Sequence, residues 1–246
     1  MANDNFLWGF HAITARLRAS GDSVQELWYA DNRRDGRLKG LLALAGEKKV
    51  RLHATTPDRL DGMTRGARHQ GVVARVTAAV LAHDIDAVMD AAGDSLLLLV
   101  LDGCQDPHNL GACMRVADAF GVHAVVAPKD RAVGLTPAVS RVACGAAETV
   151  PYITVTNLAR FLEELADRDI LTVGADMEGS KALYDVELRL PMAWVLGAEG
   201  SGLRRLTREH CDVLAHIPMS GTVESLNLSV STGICLAETR RRLPVD

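Results

Sequence analysis

Three polar segments carry the side chains of this chain best suited to chemistry. In Ile217-Pro218-Met219-Ser220-Gly221-Thr222-Val223-Glu224-Ser225-Leu226-Asn227-Leu228-Ser229 an apolar stretch passes through a polar loop into a helical pattern, with Ser225, Asn227 and Ser229 crowded at the helix start. A helix N-terminus presents unpaired backbone N–H groups, and one capping side chain meets part of that need. Three alternating polar side chains exceed it, so the segment is either an over-capped helix or a place where a ligand or reacting group sits. The second segment is Asp102-Gly103-Cys104-Gln105-Asp106-Pro107-His108-Asn109-Leu110-Gly111-Ala112-Cys113-Met114-Arg115. Pro107 breaks regular structure there, and Asn109 is placed to cap the helix that follows. Leu110, Met114 and Ala117 form the inward stripe of that helix. Arg115 falls on another face and leans back toward the loop carrying Asn109, because helical side chains tilt toward the N-terminus. A cap and a surface charge paired with Asp118 are the simpler readings of these two residues. In the third segment, Leu196-Gly197-Ala198-Glu199-Gly200-Ser201-Gly202-Leu203, neither GxGxxG nor GxxxxGK[ST] is present, which disfavours a nucleotide phosphate loop. A tight turn remains, with exposed backbone and Glu199 projecting beside it.

Each segment follows an apolar run. Residues 96–101, 123–127, 170–174, 193–196 and 213–217 read as strands buried on both faces, as in a parallel sheet. Helical patterns over 110–120, 139–147, 158–166 and 226–242 lie between or after them. This alternation predicts an α/β fold, a parallel sheet flanked by helices, and in such sheets ligands collect beyond the carboxyl ends of the strands. Residues 1–77 form a separate small α/β pattern, with helices expected at 8–17, 38–44 and near 57–61, and strands at 26–30, 50–53 and 71–76. Residues 78–95, rich in Ala and Asp, read as a connector with a short helix at 84–92, and 96–246 as the larger domain.

Composition excludes several classes. With 48% hydrophobic and 24% charged residues over 246 positions, the chain is an ordinary globular protein large enough for a substantial core. Aromatics are 4%, too few for a multi-base stacking platform, and the net charge of −4 argues against a generic nucleic-acid binder. Local basic clusters exist at Arg33, Arg34, Arg37 and Lys39, at Arg65 and Arg68, at Arg204, Arg205 and Arg208, and at Arg240, Arg241 and Arg242. They make a partial basic surface possible. Five cysteines without CxxC, mostly in apolar stretches, read as small buried hydrophobes in a reducing compartment. No Cys/His spacing suggests a metal. No targeting or membrane-spanning segment is recognised, so a cytoplasmic location is expected.

Taken together and in this order, the three segments resemble the motifs of the SpoU branch of the SPOUT RNA methyltransferases. Asn109 and Arg115 match the polar pair of the first motif, Glu199 the acidic residue of the second, and Ser225, Asn227 and Ser229 the polar positions of the third. The likeness covers 96 to about 238. Pro107-His108-Asn109-Leu110-Gly111-Ala112, Val142-Ala143-Cys144-Gly145-Ala146-Ala147-Glu148 and Leu206-Thr207-Arg208-Glu209-His210-Cys211-Asp212 extend it toward members acting on a guanosine of 23S rRNA. Trp8-Gly9 and His69-Gln70-Gly71-Val72-Val73 give a less specific likeness to their small N-terminal RNA-binding domain.

The resemblance implies a C-terminal trefoil knot, S-adenosylmethionine as methyl donor, a homodimer, and 23S rRNA or a ribosomal precursor as substrate, with no metal and no membrane. It implies a cofactor pocket built largely of backbone at Gly197, Ile217, Met219 and Leu226. Arg115 is implied to meet the ribose hydroxyl and its phosphate, Asn109 to position the ribose or Arg115, and Glu199 to orient Arg115 or its loop. Ser225 and Asn227 are implied to fix the third-motif turn. A tRNA ribose substrate is the runner-up. A non-catalytic RNA-binding assembly factor and a nicotinamide oxidoreductase are the readings from other classes.

Overall fold

The computed structural model describes residues 5–77 and 84–244. The chain divides into two compact units, one holding the described residues up to Thr77 together with Cys144–Thr149, the other holding the rest. The start of the expected connector, 78–83, lies outside the described residues.

In the first unit β1 (Asn5–Trp8), α1 (Phe10–Ser20), β2 (Val24–Ala30), α2 (Gly36–Glu47), β3 (Arg51–Thr55), α3 (Pro57–Thr64) and β4 (Val72–Val76) build a four-stranded sheet in the order β1-β4-β2-β3. Strand β4 runs antiparallel to β1 and β2, and β2 parallel to β3. Strand residues alternate between faces. Leu27, Val72 and Ala74 therefore pack with Ile13, Leu17, Leu38 and Leu41, whereas Trp28 and Val73 pack with Leu60. Trp8 does not open the first helix as its spacing suggested. It pairs with Val73 in β1, and Gly9, at φ 89°, turns the chain before α1 begins. The buried Arg16 donates through Nε to Glu148 at 2.9 Å.

In the second unit the elements run α4 (Ile85–Ala92), β5 (Leu97–Asp102), α5 (Pro107–Ala119), β6 (Ala124–Pro128), α6 (Pro137–Ala143), β7 (Tyr152–Val155), α7 (Leu158–Asp167), β8 (Leu171–Ala175), β9 (Lys181–Ala182), β10 (Met192–Gly197), α8 (Arg205–Glu209), β11 (Val213–His216) and α9 (Leu228–Arg242). The strands form one sheet, β7-β6-β5-β10-β8-β11-β9, with every pairing parallel. One face buries Leu98, Val100, Ala193 and Val195 against α4 and α7 through Val88, Phe161 and Leu165. On the other, Trp194 Nε1 donates to Thr239 of α9 at 2.8 Å, and Cys113 of α5 meets Thr232 of α9 at 3.5 Å. Helices α5 and α6 touch closely: a Cβ on Gly111 would lie 2.7 Å from Val142 Cβ and 2.8 Å from Val139 O. The expected helix over 139–147 stops at Ala143, because Cys144 and Gly145 take left-handed backbone at φ 53° and 102°.

The strand order places the site. From β5 the sheet is built outward through β6 and β7; the chain then crosses to β8 on the other side, and β10 later fills the place between β5 and β8. Neighbouring connections diverge at that point and leave a crevice at the carboxyl ends. Leu101 pairs with Leu196 and Asp102 with Gly197, so the loops leaving β5 and β10 emerge side by side.

Candidate functional site

The crevice is a cleft of about 480 Å³, whose walls include Asp102, Asp106, Asn109, Glu199, Arg204 and Leu228. Its floor is the buried carboxylate of Asp102. Arg204 donates to it twice, from its backbone N–H at 3.0 Å and from Nε at 2.6 Å. The loop after β10 folds back on itself: Gly202 N–H donates to Ala198 O at 2.9 Å, and Gly200 and Gly202 adopt φ 78° and 62°. Only a residue without a side chain fits at Gly197, where an added Cβ would meet Gly202 C at 2.0 Å. This turn carries Glu199 at its tip.

Glu199 accepts from the side-chain amide of Asn227 and from Leu228 N–H at 3.3 Å. The same Asn227 Nδ2 donates to Asn109 Oδ1 at 2.9 Å. Its Oδ1 accepts from Ser229 N–H at 2.9 Å and Ser229 Oγ at 2.6 Å, which makes Asn227 the cap of α9. One amide thus closes a helix and ties its start to the first turn of α5 and to the glycine turn after β10. Asn109 does not cap α5. Asp106 does so, accepting from His108 N–H at 3.1 Å and Asn109 N–H at 3.2 Å. Pro107 is then the first helical residue, where its missing N–H costs nothing, and Asn109 in the first turn keeps its side chain for Asn227. The Asp-Pro pair was the sequence signal for this start. Asp106→Ala is expected to cost about 1 kcal/mol, the usual value of a lost N-cap. That corresponds to roughly 2–4 °C in Tm for a chain of this size, and a thermal melt checks it.

The structure brings together Asn109, Glu199 and Asn227, with Gly197 supporting the turn. Arg115 is exposed on α5 and is not among the residues lining the cleft; Ser225 is exposed in the loop before α9. Ile217, directly after β11, and Leu226 are half-buried, and Met219 is exposed. All three lie in the segment joining β11 to α9, and β11 is parallel to β8 and β8 to β10, so this segment leaves the sheet at the same edge as the other two loops. Asp102, Asp106 and Arg204 join the cleft without having been singled out by spacing.

Electrostatics narrow the chemistry. Burial, reinforced by the charges of Asp106 and Glu199, pushes the Cys104 thiol up to about 11, and burial takes Cys113 to about 12. Cys104, which lines the cleft, is thus held as a thiol at neutral pH. Much of the basic clustering is committed internally. Arg240 donates to Phe120 O at 2.7 Å at the end of α5, Arg241 and Arg242 hold Glu238, and Arg208 pairs with Asp176 and Glu178. In the first unit Arg33 and Arg37 lie over the Phe10 ring at 4.5 and 4.9 Å.

Residues 96–237 match the SpoU rRNA Methylase family, and residues 6–80 match a domain described as RNA 2'-O ribose methyltransferase substrate binding. The chain is 54% identical to the 23S rRNA (guanosine-2'-O-)-methyltransferase RlmB of Bordetella pertussis, over 98% of this chain and 99% of the relative. It is 52% identical to the protein of that name from Neisseria meningitidis serogroup B, over 98% and 97%. Among solved structures it is similar to the SpoU methyltransferase AviRb from Streptomyces viridochromogenes in complex with AdoMet, at a TM-score of 0.76, 24% identity, and coverage of 98% of this chain and 91% of that one. A TrmH/SpoU tRNA modifying enzyme from A. aeolicus matches at a TM-score of 0.54 and 28% identity, over 59% and 74%.

Proposed function

The chain belongs to the SpoU rRNA methylase family, and from that premise we propose that it transfers a methyl group from S-adenosylmethionine to the ribose 2′-oxygen of a guanosine in 23S rRNA. The observation that carries this reading is the convergence of Asn109, Glu199 and Asn227 at the carboxyl ends of β5 and β10. The donor supplies a sulfonium methyl carbon that is already strongly electrophilic. A folded-back glycine turn with accessible backbone, next to Ile217, Met219 and Leu226 in the third loop, suits a ligand with an adenine ring and a sulfonium-bearing chain. Gly197, Ile217, Met219 and Leu226 would hold it.

The protein's task is then alignment and proton management. Holding the two reactants in line is worth up to about 7–11 kcal/mol in favourable cases. Asn227 fixes the start of α9, and with Glu199 and Asn109 it sets the rim against which the ribose is placed. Arg115 meets the ribose hydroxyl and its neighbouring phosphate. A guanidinium, which holds its proton throughout, is a poor base. Its role is to stabilise the developing alkoxide, while a phosphate oxygen or water accepts the proton.

The first unit, matching the substrate-binding domain, contributes RNA affinity through phosphates, 2′-hydroxyls and RNA shape. The boundaries 1–77, 78–95 and 96–246 divide recognition, connector and catalysis, and the catalytic part carries a C-terminal trefoil knot. The active form is a homodimer; Val223 and Val230, 63% and 49% exposed beside the third-motif loop and on α9, suit burial by a second copy. The enzyme works in the cytoplasm, and among the described residues no helix is long and apolar enough to cross a membrane.

Mapping 2′-O-methyl groups in total RNA tests the assignment. A deletion strain is expected to lose one guanosine modification in 23S rRNA, restored by the wild-type gene. Loss at a tRNA ribose instead would overturn the substrate and favour the runner-up.

A further inference from the structure

The charges lining the cleft do not balance in the way its composition suggests. Three carboxylates face it, yet each is answered from within the protein. Asp102 holds Arg204, Asp106 takes two backbone N–H groups of α5, and Glu199 takes Asn227 and Leu228 N–H. Arg204 is committed in turn to Asp102. The remaining charged residue in the lining is Arg131, exposed and with no hydrogen bond or ion pair among the described residues. Its backbone sits at φ 62°, a left-handed conformation uncommon for a residue with a side chain. The surrounding loop holds it there: Val133 N–H donates to Cys104 O at 2.9 Å, and Tyr152 OH donates to Val133 O at 2.7 Å. A cation kept at some conformational cost on the wall of a cleft, with no partner of its own, is an observation that points toward function.

Building on the methyltransferase reading, we infer that Arg131 binds an oxyanion in the cleft, and that this oxyanion is an RNA phosphate next to the reacting ribose. A guanidinium offers paired N–H donors matching phosphate oxygens. The carboxylate of the donor's methionine moiety has the same chemistry, and the two sources separate experimentally.

The test uses the full-length protein with Arg131→Ala, Arg131→Lys and Arg131→Gly. Glycine accepts the left-handed backbone, so that variant removes the charge without adding strain and is expected to melt no lower than wild type. Both neutral variants are expected to raise the RNA Kd and KM roughly ten-fold. The slope of log affinity against log salt should shrink by about 0.7–0.9, the value for one lost phosphate contact. Affinity for S-adenosylmethionine should be unchanged and kcat at saturating RNA should stay within a few-fold, with lysine recovering part of the RNA affinity. An unchanged RNA Kd and salt slope in a folded Arg131→Gly protein would overturn the inference. Weakened donor binding with an unaltered RNA slope would overturn it as well, assigning the charge to the donor's carboxylate. Failure of the wild-type protein to methylate RNA would instead remove the enzyme assignment itself.

Discussion

Arg115→Ala is expected to slow single-turnover methyl transfer by about 10²–10³-fold at saturating RNA and donor, the usual effect of removing one group that stabilises developing negative charge. Arg115 stands six residues beyond Asn109 on α5, about 9 Å along the helix axis at the ordinary rise per residue. Helical side chains tilt toward the helix start, and at the start of α5 Asn109 joins Asn227 and Glu199 beside the cleft. Because guanidinium stays charged across the working pH range, the loss should be uniform from pH 6 to 9. Arg115→Lys should recover only part of the rate, since an ammonium cannot reproduce the planar fork that engages hydroxyl and phosphate together. A near-wild-type rate with normal RNA affinity in Arg115→Ala would remove this residue from the reaction.

Gly197→Ala should be the most damaging change in the proposed donor pocket. The added methyl would meet Gly202 C at 2.0 Å, Gly202 O at 2.2 Å and Leu203 N at 2.3 Å, all backbone atoms that cannot rotate away. The turn must open, and Glu199 at its tip loses its register with Asn227. Overpacking of this kind costs about 1–3 kcal/mol or more. The expected result is a Tm lower by several degrees and a loss of at least about ten-fold in S-adenosylmethionine affinity, followed by calorimetry. Gly200→Ala is the matched comparison. No atom lies within 4 Å of its added Cβ, so only the positive φ of 78° resists it, a cost of about 1–2 kcal/mol. Equal behaviour of the two variants would show that steric closure of the turn is not what shapes the pocket.

How much of this was legible depended on burial. Strands β5, β6, β8 and β10 lie inside the sheet and appear as apolar runs, within a residue or two of their observed ends. Strands β7 and β9 form the sheet's two margins. Their partly exposed, mixed side chains give no such run, and both escaped. Helix α8, five residues long and carrying Arg205, Arg208 and Glu209, has too few turns to show a period. The polar cluster was visible as residue types at strand ends and through resemblance to a family. Its hydrogen bonds were not, since nothing local relates Asn109 to a partner 118 positions away. Mistaking Asn109 for the cap shows the limit of local rules, because Asp106 satisfied the same rule three residues earlier with a proline in its favour. Arg131 left no local trace, as its significance comes from what its neighbours in space already hold.

The pairing of Asn109 with Asn227 has a temporal consequence. During synthesis the first of these leaves the ribosome long before the second, and β10 with its glycine turn emerges in between. Until α9 has emerged, Asn109 and Glu199 lack the amide that ties them together, and α5, already packed on α6, lacks its second helix. On the proposed function, a chain lacking α9 would therefore be inert toward rRNA even if its first unit were folded. On that same proposed function, competence then arrives only once α9 has been made, as a single event.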